Sequence, residues 1–334
     1  MAADIRSFGT LSDGRAVQAV RLQRGELTAV VLTRGAVLQD LRLAGTPYSL
    51  TLGSDVVAAY EGPLAYFGAI VGPVANRIGG ATAVIAGRRY DFPANEGAVL
   101  LHGGAHGTQA QLWEIVEAEE HRLVLRLALE DGAQGFPGNR EITAEYALTA
   151  GFELTLTLSA TSDAPTLMGL ANHSYWNLDG SADYAGHRLR VAADRYLPVT
   201  DEGLPTGEAR PVTGAFDLRG GRSLDLSEGF DHCFCLARSP RALTPVAELI
   251  GAKGVRMVME TTEPGLQVYD GRGVNSGAYP GHAGQPYGPF AGLALEAQRW
   301  PDAPNHPGFP SVTLAPGGRY EQVTRWQFER VEAG

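Results

Sequence analysis

Apolar and polar residues alternate with period two over long stretches of this chain. Leu123, Leu125, Leu127 and Leu129 form one series, Ile142, Ala144, Tyr146 and Leu148 a second, and Phe152, Leu154, Leu156 and Leu158 a third. Strand side chains point alternately to the two faces, so each series predicts an antiparallel strand with one buried face. Shorter stretches read the same way. Ala29 to Leu32 and the group Val37, Leu41 and Leu43 flank a turn at Arg34-Gly35, and residues 83–92 form a hairpin closed at Ala86-Gly87. Leu189 and Val191, Tyr196 to Val199, Cys233 to Leu236, and Val255, Met257 and Met259 continue the pattern. Asp55 to Tyr60 predicts a single helical turn capped by Ser54 or Asp55. No helix of crossover length separates the strands, which excludes a parallel α/β sheet and predicts an all-β, antiparallel fold. Strand spacing is even, without repeats, so residues 1–334 are expected to form a single domain.

Composition narrows the partners. The 334 residues include 43 glycines and 20 prolines, ample punctuation for the turns of such a fold. A net charge of −10 disfavours a nucleic-acid backbone or an anionic membrane surface. No apolar stretch has the length of a membrane span, and Met1 to Thr10 lacks a signal-peptide core, so a soluble cytoplasmic protein is expected. Cys233 and Cys235, two apart on a strand, share a face; they suit two small buried thiols better than a disulfide or a zinc site. The stretch 200–229 is polar and turn-rich, and reads as a surface excursion.

The candidate chemistry lies in a few segments. Asn172-His173-Ser174-Tyr175-Trp176-Asn177-Leu178 offers amides, a hydroxyl, two large rings and an imidazole that can pass a proton near neutral pH. These groups suit a sugar pocket, and equally a strand end whose polar groups are satisfied by their neighbours. Leu101-His102-Gly103-Gly104 leaves a histidine ring uncovered beside pliable backbone. His106, four residues on, would join His102 at a metal only on a helix, which the glycines oppose. Asn76-Arg77 at a strand–turn junction can donate several directed hydrogen bonds, though an arginine there is more often simply solvated, and Asp231 at a strand mouth can hold sugar hydroxyls or equally be an ordinary turn aspartate. Gln267 and Tyr269 face away from Leu266 and Val268, and Glu296 faces away from Leu293 and Leu295. A glutamate at that position lies either on a wet face or in a pocket that raises its pKa.

Taken together, these segments resemble the aldose 1-epimerase, or galactose mutarotase, family. The resemblance rests on Asn76-Arg77-Ile78, Leu101 to Gly104, Gly135-Phe136-Pro137-Gly138, Asn172 to Leu178, Gly229 to His232, Pro264 to Gln267, Leu295 to Gln298 and Trp300 to Ala303. They occur in the family's order and span residues 65–315. The resemblance implies a large twisted antiparallel β-sandwich with an open sugar cleft. It implies Glu296 as general base, His173 as general acid and His102 as a second histidine near the ring oxygen. It also implies Asn76, Arg77, Asp231 and Gln267 as sugar-binding residues. Three departures stand out: Gly107-Thr108-Gln109-Ala110 replaces a Gly-Phe-Asp-Lys run, Trp176 stands where Phe is commoner, and Pro73 replaces an arginine.

The implied reaction interconverts the α and β anomers of a free aldose such as galactose or glucose. It needs no cofactor and no metal, and its partner is a small sugar bound by a monomer or homodimer. Anionic Glu296 and Asp231 are expected to favour a protonated His173. Other readings compete. A non-catalytic sugar-binding β-sandwich would need the rings but not the acid and base. An epimerase of a phosphorylated hexose would need clustered Arg or Lys. A glycosidase would need Asp231 as a second catalytic carboxylate. Nucleotide chemistry lacks a Gly-Lys-Ser/Thr motif.

Overall fold

The computed structural model describes residues 3–332; Met1, Ala2, Ala333 and Gly334 lie outside the described residues. Nearly all of the regular secondary structure is strand. Among the described residues the longest helical piece is the five-residue 3₁₀ turn Val57–Glu61, and every ladder between strands is antiparallel. Among the described residues no helix is long and apolar enough to cross a membrane.

Three sheets carry the architecture. A nine-stranded sheet runs from Glu114–Glu119 through Arg122–Leu129, Arg140–Thr149, Glu153–Ser162 and Tyr320–Arg330. It continues through Val255–Thr261, Thr244–Ile250 and Arg188–Val191 to Arg222–Ser223. A six-stranded sheet orders Tyr175–Trp176, Leu293–Gln298, Gly265–Tyr269, Asp231–Cys235, Arg195–Tyr196 and Arg210–Pro211. A four-stranded meander, Asp4–Thr10 to Leu38–Leu43, packs at the side. The alternating leucines read from the sequence supply the core. Leu123, Ile142, Leu156, Met257 and Trp326 from the nine-stranded sheet share one buried cluster with Leu266, Val268, Leu295 and Phe234 from the six-stranded sheet. Burial of this apolar area holds the two sheets face to face.

Because alternate residues face opposite ways, the six-stranded sheet has a second face turned from the core. Pairing aligns Tyr175 with Ala294, Gln267 with Glu296 and Cys233 with Gln267. That register sets Tyr175, Glu296, Gln267 and Asp231 on one surface, and the site is built there.

Several local expectations are corrected. The helical turn starts at Val57 with Val56 as its cap and no side-chain cap bond; Ser54 Oγ instead accepts from the Val56 N–H at 3.2 Å. Phe152 does not join the alternating series. It sits in the preceding turn with φ 61°, partly exposed, and the strand begins at Glu153. Cys233 is buried as expected, but Cys235 is only half-buried. The glycines after His102 serve packing against protein: a Cβ on Gly103, which has φ 78°, would lie 2.0 Å from the Gly72 carbonyl oxygen.

Trp176 turns into the core. It is fully buried against Trp326 and Phe328, with ring centroids 5.6 and 5.9 Å away. Trp176→Ala should therefore cost about 3–5 kcal/mol in denaturant unfolding, the range for truncating a large buried ring. Trp176→Phe should leave ligand affinity at the opposite face unchanged.

Candidate active site

His173 lies between the short strands Ala171–Asn172 and Tyr175–Trp176. Its backbone N–H donates to Ala69 O at 2.9 Å, and its carbonyl accepts from Gly68 N–H at 2.9 Å. The pairing of Tyr175 with Ala294, carried two residues further, sets His173 opposite Glu296. His173 Nε2 stands 3.6 Å from Glu296 Oε1, and both side chains are almost wholly buried.

Around this pair the chain assembles a pocket of about 190 Å³. Six of the seven residues singled out in the sequence line it: Asn76, Arg77, His102, His173, Asp231 and Glu296. The seventh, Gln267, sits one layer beneath. Its Nε2 donates to Asp231 Oδ1 at 2.7 Å and so fixes the carboxylate that faces the pocket. Sequence reasoning missed Tyr66, Tyr269 and Glu96 as lining residues. Tyr269 had a signal, since it shares the face of Gln267. Tyr66, on an irregular segment with its ring 4.9 Å from His102, had none.

The opening motif divides between the two readings it allowed. His173 and Tyr175 face the pocket, whereas both asparagines are structural. Asn172 Nδ2 donates to Gly68 O, and Asn177 Nδ2 bonds the carbonyls of Ser181, Asp183 and Ala291. Asn76 lines the pocket, its Oδ1 accepting from the Arg77 N–H at 2.8 Å.

Asn76 and His102 both adopt left-handed backbone, with φ 62° and 52°, which costs free energy at residues other than glycine. The strained pair is locked reciprocally. His102 N–H donates to Asn76 O, and Asn76 N–H donates to His102 Nδ1, both at 3.0 Å. Because Nδ1 accepts, the proton of the neutral ring resides on Nε2. Burial lowers the His102 pKa well below its usual value, with His173 and Arg77 adding to the drop, so the ring stays neutral and Nε2–H is a donor.

This bears on metal binding. His102, His173 and Glu296 each bring one ligand-type atom within 4.8 Å of the others. A ligating nitrogen needs a free lone pair, and the Asn76 bond puts the proton of His102 where that lone pair would be. The trio fits proton handling better than metal coordination.

Burial raises the Glu296 carboxyl to about 8; Asp231 adds to the rise and Arg77 opposes it. Burial lowers the His173 imidazole to about 4. The expectation that nearby anions keep His173 protonated does not hold in this structure, because desolvation outweighs them. Both shifts favour the uncharged form of each group, and between these values the pair as a unit holds one proton. Glu296 Oε2, Gln267 Oε1 and His173 Nδ1 are buried and make no hydrogen bond within the protein. Unmet hydrogen-bonding capacity of this kind is costly unless a polar ligand supplies partners.

The profile of the aldose 1-epimerase family matches residues 18–327. The chain belongs to the aldose 1-epimerase family. It is 36% identical to the galactose mutarotase of Rattus norvegicus, over 96% of this chain and 97% of that protein. It is 32% identical to the aldose 1-epimerase of Escherichia coli K12, over 95% of this chain and 96% of that protein. A crystal structure of an aldose epimerase homologue from C. elegans superposes with a TM-score of 0.89 at 31% identity, covering 95% of this chain and all of that one. The family match extends beyond residues 65–315, where the sequence motifs lie, and takes in most of the N-terminal meander.

The buried carboxyl has a consequence for stability. Its folded pKa lies above its unfolded value of 4.5, so the folded state keeps a proton that the unfolded state gives up. Stability from this group is full below pH 4.5 and is lost as pH rises towards 8. Glu296→Gln should therefore raise the melting temperature, by more at pH 9 than at pH 5. The difference should reflect a few kcal/mol, at roughly 1.4 kcal/mol per pKa unit. An equal gain at both pH values would contradict the raised pKa.

Proposed function

We propose that this protein is a mutarotase that interconverts the α and β anomers of a free aldohexose such as galactose or glucose. One observation carries the reading: a buried carboxyl and a buried imidazole face each other at 3.6 Å in a pocket with unmet polar groups. The 36% identical relative is named galactose mutarotase and the 32% identical one aldose 1-epimerase, which supports the same reaction.

In this mechanism Glu296 takes the proton of the C1 hydroxyl as His173 gives a proton to the ring oxygen. The C1–O5 bond breaks, and the sugar opens to the aldehyde. Rotation about C1–C2 exposes the other face, and closure runs the two transfers in reverse. Glu296 as base and His173 as acid require the pair's proton to sit on the imidazole. On sugar binding it passes from Oε1 to Nε2, with no change in the number of protons held. His102, fixed as an Nε2–H donor, hydrogen-bonds the ring oxygen as charge develops there. Arg77 and Asp231 bind sugar hydroxyls, and Gln267 holds Asp231 in place. Tyr66 and Tyr175 offer ring faces to the C–H surface of the pyranose.

A sugar-binding module without catalysis has no use for two buried titratable groups at one point. Retaining glycosidase chemistry needs a second carboxylate across a glycosidic bond; Asp231 is already engaged by Gln267 and, at 3.5 Å, by Arg77.

Polarimetry on freshly dissolved α-galactose and α-glucose tests the reading, and failure to speed mutarotation of any aldose would refute it. Glu296→Gln and His173→Asn should each lower kcat by at least ~10²-fold, the scale of one general acid or base. Arg77→Lys should chiefly raise KM.

The rate should be bell-shaped in pH. Below about 4 both partners are protonated and the base is lost; above about 8 neither is and the acid is lost. A profile flat from roughly pH 4 to 10 would contradict catalysis by this pair.

A further inference from the structure

A second recess, of about 490 Å³, opens from the first across Arg77, Glu96 and Asp231. The polar stretch 200–229, expected to be a surface excursion, contributes Asp201, Glu202, Gly203 and Leu204 to its wall. Its charge is one-sided: Glu96, Asp201, Glu202 and Asp231 face a single cation, Arg77.

That cation is not free. Glu96 takes the Arg77 Nε at 2.6 Å and its Nη2 at 3.2 Å, a two-pronged grip on one edge of the guanidinium. Asp231 Oδ2 stands 3.5 Å from Nη1. The backbone of Gly203 presses from above; with φ 74°, a Cβ there would lie 2.8 Å from Nη1. Only 15% of the Arg77 side chain is exposed. Guanidinium edges bind phosphate or carboxylate in this same two-pronged way, so Glu96 occupies the position an anionic ligand would need. The remaining acids repel such a ligand as it approaches. In the adjoining pocket, Glu296 Oε2 is a buried acceptor without a partner, which calls for the hydroxyl donor of a neutral sugar.

We propose that Glu96 is a specificity-determining residue: by holding Arg77 it makes the cleft select uncharged aldoses and reject phosphorylated or carboxylated ones. Asp201 and Glu202 extend the same exclusion to the outer lip. The inference rests on the mutarotase reading, and it assigns Glu96 a role distinct from tethering its loop. A tether would affect neutral and anionic sugars alike, whereas a charge filter changes their ratio.

The test measures KM for glucose and the inhibition constant of glucose 6-phosphate, using polarimetry on the parent protein, Glu96→Gln and the double variant Asp201→Asn/Glu202→Gln. In Glu96→Gln the inhibition constant should fall about tenfold or more relative to KM for glucose, the size of one charge-assisted hydrogen bond. The gain should shrink as salt is raised. The double variant, on exposed residues outside the hydrogen bonds that Arg77 makes to Glu96 and Asp231, should shift the inhibition constant in the same direction by less, and it keeps the test in force if Glu96→Gln does not fold. Equal changes in both constants, or no change in the ratio for either variant, would overturn the proposal. A parent protein that speeds the mutarotation of no free aldose would instead refute the mutarotase reading.

Discussion

Desolvation of one carboxyl and one imidazole that face each other is the constraint on which the site depends. Water is excluded from both Glu296 and His173, so neither carries a charge cheaply. The lowest state holds one proton between them and leaves both neutral. The fold tolerates this because the groups around the pair are themselves fixed: Asp231 by Gln267, and His102 by the Asn76 backbone.

The geometry follows from sheet register. Three antiparallel pairings place Tyr175, Glu296, Gln267 and Asp231 on one face, and the first of them, extended, brings His173 opposite Glu296. A slip of one residue that moved Leu295 or Val268 into register with the site would send Glu296 or Gln267 into the apolar core. The buried cluster that joins the sheets thus also enforces the register of the site. Trp176 and Leu295 point inwards, so Tyr175 and Glu296 must point out.

The remainder of the site is held by loops, where strain and close approach replace periodicity. Left-handed backbone at Asn76 and His102 is kept by two reciprocal hydrogen bonds. Gly203 meets the Arg77 guanidinium with no room for a side chain. Asp302 ties the strand carrying Arg77 to the far end of the chain: its N–H donates to Arg77 O, and its Oδ1 accepts from Gly79 N–H, both at 2.9 Å.

Period-two alternation is a local property, written in residues such as Leu123, Leu125 and Leu127, and it determined the antiparallel all-β class because a strand must bury one face. The same rule set Glu296 apart from Leu293 and Leu295, and the motif order around His173 and His102 fixed the family. Three things were decided only by the tertiary structure. It chose which strands pair and in what register, and hence which polar side chains meet. It turned Trp176, Asn172 and Asn177 away from the pocket and brought Tyr66 and Glu96 to it from irregular segments with no periodic signature. It also set the protonation of the pair, since the cost of charging Glu296 and His173 depends on how completely water is excluded, and that depends on every element packed around them.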